Sequence, residues 1–283
     1  MNTNNNIILN RVFSQNTFIN LIETHKDETY ISSVKKYVTN SESKTNRELI
    51  NELYSFLGKK HRNEYFYKNT ILNKLILGKH SINTTTALSE VPIGRSKADF
   101  VLINGKAIVY EIKTELDNLD RLEKQLIDYY KVFDHVCVLT HESNCCEIYK
   151  KFRKSHVGLC VLSNQNTIKT YKEPTADRTE LDTKLMFKML RKYEYERIIK
   201  CYYEKLPTVS QFCYYKTCLG MFCDLGIDDA YSALLKELKK RSSIYKNEYS
   251  RVPYELKALV YFSQYKKENY EQLEEFLEGE FGG

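Results

Sequence analysis

The chain has 283 residues, of which 42% are hydrophobic and 28% are charged. This composition provides enough apolar side chains for a packed core and excludes an intrinsically disordered chain, and the length suggests one large domain or two to three smaller ones. The longest apolar runs span a handful of residues, far short of the roughly 20 that cross a bilayer, so no membrane association is expected. The eight cysteines are expected to be free thiols in a reducing cytoplasm, because a chain of this size does not need disulfides.

The formal net charge is +6, and the charges are unevenly distributed. Residues 151–200 carry 12 basic and 6 acidic side chains, whereas residues 251–283 carry 4 and 7. A basic stretch of this kind is typical of a nucleic-acid surface and equally of a solvated face. Charge alone therefore leaves both interpretations open.

The first 62 residues are predicted to form a helical extension. Thr45 followed by Glu48 matches a capping box, and Leu49, Leu53 and Phe56 then follow at helical spacing. Asn63 can cap the next helix, which is expected over roughly 64–77 and opens the following domain.

Residues 63–173 have the pattern of an α/β domain with a mixed sheet flanked by helices. The dipeptide Asn104-Gly105 between two apolar runs is a strong hairpin signal. The further predicted elements are a helix over about 116–133, a strand over 135–140, a helix near 144–154 and a hairpin from 159–162 and 167–171. Residues 174–283 are predicted to form a C-terminal helical domain, because the pattern is helical to the end.

Two acids and a lysine lie near the ends of the predicted hairpin strands. Asp99 begins the first strand, and Glu111 and Lys113 follow near the end of the second, on one face because they are two residues apart. Two carboxylates supply the hard oxygen ligands that suit magnesium, and a neighbouring ammonium can hold a water or stabilise charge on a phosphate. The plainer interpretation is a surface salt-bridge ladder at a sheet edge.

The length of the hairpin loop decides whether these three side chains meet. A two-residue turn at Asn104-Gly105 would pair residue 103 with 106 and direct Asp99 away from Glu111. A three-residue loop over 103–105, with a left-handed Gly105, would pair 102 with 106 and bring Asp99 to the face of Glu111 and Lys113. We therefore predict a loop of odd length or a hairpin with a bulge.

This order of motifs resembles the PD-(D/E)xK, or restriction-endonuclease-like, nuclease superfamily. The matching residues are Asp99, then Glu111-Ile-Lys113 on a hairpin, then Gln125-Leu-Ile-Asp-Tyr129 on the next helix. The Gln-x-x-x-Tyr element resembles the RecB-type branch, and residues 64–140 also resemble an uncharacterised bacterial family within the superfamily. The resemblance implies a restriction-endonuclease-like core over 63–173 between all-helical N- and C-terminal extensions. Ala98 stands where the superfamily name has proline, at a loosely held position.

The resemblance also implies a metal site. Asp99 and Glu111 would bind Mg²⁺ or Mn²⁺, and the carbonyl oxygen of Ile112 would be a further ligand. Glu64, on the first core helix, matches the acidic residue that many members use as an extra metal or water contact.

Three more residues receive roles from the same resemblance. Lys113 would orient or activate the attacking water, and the adjacent carboxylates favour its charged form, so electrostatic positioning suits it better than proton abstraction. Gln125 and Tyr129 would steady the site and the substrate strand. An equal alternative is that Gln125 and Tyr129 border the buried stripe of their helix.

Four basic residues flank the proposed site and are candidates for phosphate contacts. These nucleic-acid-binding candidates are Arg95, Lys97, Arg121 and Lys124. Solvated surface accounts equally well for Lys124 and somewhat less well for Arg95 and Lys97.

Together these features predict a Mg²⁺-dependent deoxyribonuclease that acts on DNA in phage defence, in a mobile element or in DNA repair. The alternative is a catalytically silent module on the same fold that binds nucleic acid or another protein. The Tyr-rich C-terminal helices could stack bases or dock a protein partner or a second copy, although tyrosines at helical spacing more often belong to a core.

Overall fold

The chain combines many helices with one six-stranded mixed sheet, as seen in a computed structural model that describes residues 6–79, 81–241 and 244–282. Helices flank the sheet, which confirms the predicted α/β class. No helix within the described ranges is both long and apolar enough to cross a membrane.

The helices and strands have the following bounds. The helices are α1 (Asn6–Val12), α2 (Gln15–Thr24), α3 (Glu28–Tyr37), α4 (Asn46–Lys60), α5 (Glu64–Ile71), α6 (Leu122–Tyr130), α7 (Glu142–Phe152), α8 (Thr183–Met189), α9 (Lys192–Tyr203), α10 (Gln211–Cys223), α11 (Ile227–Lys239), α12 (Lys246–Arg251), α13 (Lys257–Ser263) and α14 (Lys267–Glu278). The strands are β1 (Thr86–Ile93), β2 (Ser96–Asn104), β3 (Lys106–Lys113), β4 (His135–His141), β5 (Gly158–Leu162) and β6 (Ile168–Lys172). A π-helical segment, Leu72–Lys79, continues α5.

The sheet has the spatial order β1-β2-β3-β4-β5-β6. The pairs β1–β2, β2–β3 and β5–β6 are antiparallel, whereas β3–β4 and β4–β5 are parallel. The two parallel pairs require crossover connections, and these contain α6 and α7. Strand β3 is therefore an inner strand, with an antiparallel neighbour on one side and a parallel neighbour on the other.

Strand β1 was not among the predicted elements. Its sequence contains Pro92, which cannot donate to a ladder and argues against a central strand. Because β1 lies at the edge of the sheet, the missing N–H is tolerated there. The strand joins β2 through a two-residue turn at Gly94-Arg95, since Ile93 pairs with Ser96.

Helix α6 is shorter than the predicted helix over 116–133 and begins at Leu122. Polar side chains before it bond to their own backbone: Thr114 N–H donates to Asp117, and Asp120 N–H donates to Asn118. Such local bonds compete with helical ones, so the segment before Leu122 forms turns.

The chain divides into two compact units that do not coincide with the predicted boundaries after residues 62 and 173. One unit contains residues 1–81 and 243–283, and the other contains residues 82–242. The predicted first core helix, now α5, thus belongs to the helical unit. The helices from α8 to α11, predicted as part of a C-terminal domain, belong to the unit of the sheet.

Buried asparagines explain why the two ends of the chain form one helical unit. Asn69 is fully buried; its side chain donates to the Tyr54 hydroxyl (2.9 Å) and accepts from Ala258 N–H (2.9 Å). Asn46 donates to the carbonyl of Phe276 (3.0 Å). The predicted capping box is also present, because Thr45 and Glu48 exchange hydrogen bonds at the start of α4.

The core of the sheet unit is continuous with its later helices. Buried side chains of β2, β3, β4 and β5 form one cluster with α6 and with residues such as Phe187, Phe222 and Leu234. A segmentation by composition separates these helices from the sheet because the polar stretch over 172–180 resembles a linker. In the structure, the buried side chains of these helices pack in the same core as those of the sheet.

A buried carboxylate ties α11 to the start of β4. Asp134 is 3% exposed and accepts hydrogen bonds from the Tyr231 hydroxyl (2.6 Å) and from Arg178 Nε (3.0 Å). Burial acts to raise the pKa of Asp134, but the hydrogen bonds from Tyr231, His135 and Arg178 outweigh it and lower that pKa. The charged form is thus stabilised by its partners.

The variant Tyr231→Phe is expected to lower the free energy of unfolding by about 1–3 kcal/mol, because it leaves a buried carboxylate one donor short. The measurement is urea unfolding followed by circular dichroism. Tyr130→Phe is the matched control: the Tyr130 hydroxyl is buried and has no hydrogen-bond partner among the described residues. Equal losses in both variants would contradict the assignment.

Candidate active site at the carboxyl end of β3

The β2–β3 hairpin has an odd-length loop, as predicted. Asn104 pairs with Lys106 and Ile103 with Ala107, and Gly105 lies at the tip with a left-handed φ of 73°. The predicted pairing of residue 102 with 106 is wrong by two positions, since Leu102 pairs with Ile108. The loop nevertheless has the predicted odd number of residues, which decides the face on which Asp99 lies. Extending the observed register by one pair beyond Phe100–Tyr110 sets Asp99 opposite Glu111.

Asp99 is held against the adjoining strand. Its Oδ2 accepts the backbone N–H of Ile112 (2.8 Å), and the residue is partly exposed. The contact holds this carboxylate against β3. The structure says nothing of the Ile112 carbonyl as a ligand, so that role stays a prediction.

Glu111 and Lys113 form a buried ion pair on the same face of β3. The Lys113 ammonium lies 2.8 Å from Glu111 Oε1, and the two residues are 8% and 1% exposed, respectively. Helix α6 supplies a further partner to each: the Tyr129 hydroxyl donates to Glu111 Oε2 (2.6 Å), and Lys113 Nζ donates to Gln125 Oε1 (3.0 Å). The structure therefore brings Asp99, Glu111, Lys113, Gln125 and Tyr129 together.

Tyr129 belongs both to the buried stripe of its helix and to the candidate site, the two interpretations that the sequence left open. Its ring is fully buried in the core, and its hydroxyl touches both Glu111 and the carbonyl of Lys97 (2.9 Å). Burial, and then the nearby Glu111 charge, raise the pKa of Tyr129 far above its ordinary value. The phenol consequently stays protonated and donates to the carboxylate in a short, charge-assisted bond.

Burying this ion pair is costly unless something offsets it. A buried pair is often no more stabilising than an apolar pair of similar volume, so stability alone is a weak reason for it. Charged residues are almost never fully buried unless they are paired, so a buried ion pair inside a sheet requires an explanation. A surface salt-bridge ladder would be exposed, so the buried pair does not fit that interpretation. Its burial favours a role in catalysis or binding.

Glu90 is an acidic residue near the site that sequence reasoning missed. Its neighbours pair as Ser89–Phe100 and Val91–Ala98, so it lies opposite Asp99, and oxygens of the two carboxylates are within 4.8 Å. Glu90 has a φ of 55°, an uncommon and costly conformation for a residue other than glycine. Its register follows from the Gly94-Arg95 turn, once β1 is recognised as a strand.

The donor set of the sheet unit fits a divalent cation. Glu90 and Asp99 present carboxylate oxygens at a spacing on the order of that between two ligands of one ion. Glu111 directs its oxygens to Lys113 and Tyr129, but each carboxylate oxygen can accept a second contact. These hard oxygen donors suit Mg²⁺ or Mn²⁺ better than softer metals.

Glu64 begins α5 in the helical unit. It is exposed and forms an ion pair with Lys68 one turn later (2.5 Å). Its role as a metal or water contact stays a prediction.

The four predicted phosphate-binding residues are all exposed. Lys97 is ion-paired with Glu90, which partly neutralises it. Arg121 precedes the first turn of α6, and Lys124 lies within that turn. Arg95 occupies the β1–β2 turn. Their contacts with nucleic acid stay predictions, as does docking through the later helices, where α10 exposes Phe212 almost completely.

Comparison with known families gives a match over most of the chain. Residues 58–270, about three-quarters of the chain, match the family model described as Bacteriophage P4 protein cII. Comparison with curated proteins gives no match, and neither does comparison with solved structures. The matched range includes every residue of the site described above.

Proposed function

The chain belongs to the bacteriophage P4 protein cII family, and from its site we propose that it is a metal-dependent nuclease that hydrolyses phosphodiester bonds of DNA. One observation carries the proposal: a buried lysine and glutamate, held by a glutamine and a tyrosine, lie beside Asp99 at the end of an inner strand. This set and its order along the chain resemble the PD-(D/E)xK superfamily. We propose a restriction-endonuclease-like core on the same grounds.

The residues of the chain divide the chemistry between them. Asp99, Glu111 and Glu90 would hold Mg²⁺ or Mn²⁺, which would stabilise the developing charge on the phosphate and lower the pKa of a bound water. Lys113 positions the attacking water and offsets negative charge, and Gln125 fixes the orientation of its ammonium. Tyr129 holds the Glu111 carboxylate in place.

The setting of this activity is part of the proposal. Phage defence, a mobile element and DNA repair are the candidates from the sequence. The family is described by the name of a bacteriophage protein, which favours a phage or mobile-element setting.

Cleavage of plasmid and linear DNA is expected in Mg²⁺ or Mn²⁺ and is expected to stop when EDTA removes the metal. Glu111→Gln, which keeps the size of the side chain and removes its charge, is expected to be inactive because the metal loses a ligand and Lys113 loses its partner. Glu147→Gln on the exposed side of α7 is the matched control and should cleave like the native chain.

The outcome that contradicts the proposal is equally definite. Absence of cleavage in either metal, together with retained DNA binding, would support the silent binding module instead. Cleavage that continues undiminished in EDTA or in Glu111→Gln would place the activity elsewhere.

A further inference from the structure

A basic groove lies beside the candidate active site, on the neighbouring face of α6. Residues of the β1–β2 turn, α6 and α8 enclose about 680 Å³, a size typical of ligand-binding clefts. We call this the α6–α8 groove. Its lining residues are Pro92, Gly94, Arg95, Lys124, Ile127, Asp128, Lys131, Leu185, Lys188 and Met189.

The charge of the groove is strongly positive. It contains four cations, Arg95, Lys124, Lys131 and Lys188, and one acid, Asp128. The acid is already engaged, since Lys131 Nζ donates to its Oδ1 (2.9 Å). Within the described residues, the other three cations have no carboxylate within 4.0 Å.

Asp128 also fixes the shape of the groove. The Ser96 hydroxyl donates to its Oδ2 (2.8 Å), which ties the β1–β2 turn to α6. A Cβ at Gly94, which has a φ of 60°, would lie 3.5 Å from the same carboxylate. Arg95 is therefore carried on an anchored turn rather than on a free loop.

Apolar groups also line the groove. Ile127 is 52% exposed although it lies on an amphipathic helix, and Pro92, Leu185 and Met189 lie beside it. Cations that lie among apolar side chains complement phosphates and the sugars attached to them. Four cations against one engaged acid complement the continuous negative charge of a sugar–phosphate backbone, so a polynucleotide suits this surface better than a peptide.

The position of the groove connects it with the site. Gln125 and Tyr129 of α6 contact Lys113 and Glu111, whereas Lys124 and Asp128, each one residue earlier, line the groove. Successive helical residues are about 100° apart, so the two faces adjoin. We propose that the α6–α8 groove binds the sugar–phosphate backbone of the DNA substrate next to the cleaved bond, an inference that rests on the proposed nuclease function.

The test measures binding without cleavage. Fluorescence anisotropy in EDTA would follow short labelled single-stranded DNA, duplex DNA and RNA of the same sequence. The double variant Lys124→Glu/Lys188→Glu is expected to bind DNA roughly tenfold more weakly than the native chain. The slope of log K against log salt should fall by about 1.4 to 1.8, because two phosphate contacts are lost.

The matched control is Lys106→Glu/Lys236→Glu, which makes the same change of charge at exposed positions of the sheet unit outside both the groove and the basic stretch 151–200. Equal weakening in both double variants, or no weakening in either, would overturn the groove assignment. Tighter binding of RNA than DNA would overturn DNA as the occupant.

The outcomes separate this inference from the proposed function. If the native chain never cleaves but its binding depends on Lys124 and Lys188, the groove stands and the nuclease proposal fails. If the native chain cleaves and the groove variant binds and cleaves equally well, the groove fails and the nuclease proposal stands.

Discussion

Asp99→Asn is expected to reduce metal-dependent cleavage of DNA by on the order of 10²–10³-fold, with the fold preserved. Asparagine keeps the size of the side chain and an oxygen that can accept the Ile112 N–H, so the local contact survives. What disappears is the negative charge that would bind the cation together with Glu90 and Glu111. A loss of activity without a loss of structure would thus report on the metal site itself.

Two measurements distinguish this explanation from a general defect. Mn²⁺ is expected to raise the melting temperature of the native chain, because it binds only the folded state, and to have a much smaller effect on Asp99→Asn. Asp224→Asn changes an exposed aspartate of the same unit and should behave like the native chain in both assays. Full cleavage by Asp99→Asn, or an unchanged response to Mn²⁺, would remove Asp99 from the site.

The site could be predicted from sequence because it depends on local order. Asp99, Glu111 and Lys113 lie on one hairpin, where alternation and loop parity decide which side chains meet. Gln125 and Tyr129 lie one helical turn apart on the next helix, which packs on the same face of the sheet. The exact pairing was missed by two residues, since a glycine at the tip permits several loops of the same parity.

The edge strand and the two units could not be predicted in the same way. Pro92 and the polar pair Ser89-Glu90 interrupt the apolar pattern of β1, so Glu90 was not placed opposite Asp99. The helical unit joins residues from both ends of the chain through Asn46 and Asn69. Contacts that join residues 230 and 189 positions apart in the chain leave no periodic signal in one sequence.

Lys113→Ala is expected to reduce cleavage by on the order of 10²–10³-fold, because the ammonium that would position the attacking water is removed. The structure predicts a second effect, a loss of stability. Glu111 is almost fully buried, and losing Lys113 leaves its charge without a cationic partner. The expected loss of unfolding free energy is therefore about 3–5 kcal/mol.

The two effects are separable with a second substitution. Lys113→Ala/Glu111→Gln also removes the unpaired charge of Glu111. Its loss of unfolding free energy should therefore be smaller than the sum of the losses in the two single variants, by about 0.5–3 kcal/mol, whereas its cleavage should stay absent. Single-turnover cleavage would be measured at a temperature at which circular dichroism shows every variant folded. If Lys113→Ala cleaves at the native rate under those conditions, the ammonium only balances the charge of Glu111. If it remains folded but inactive, the same ammonium acts on the substrate or on the attacking water, which is what its place between Glu111 and Gln125 predicts.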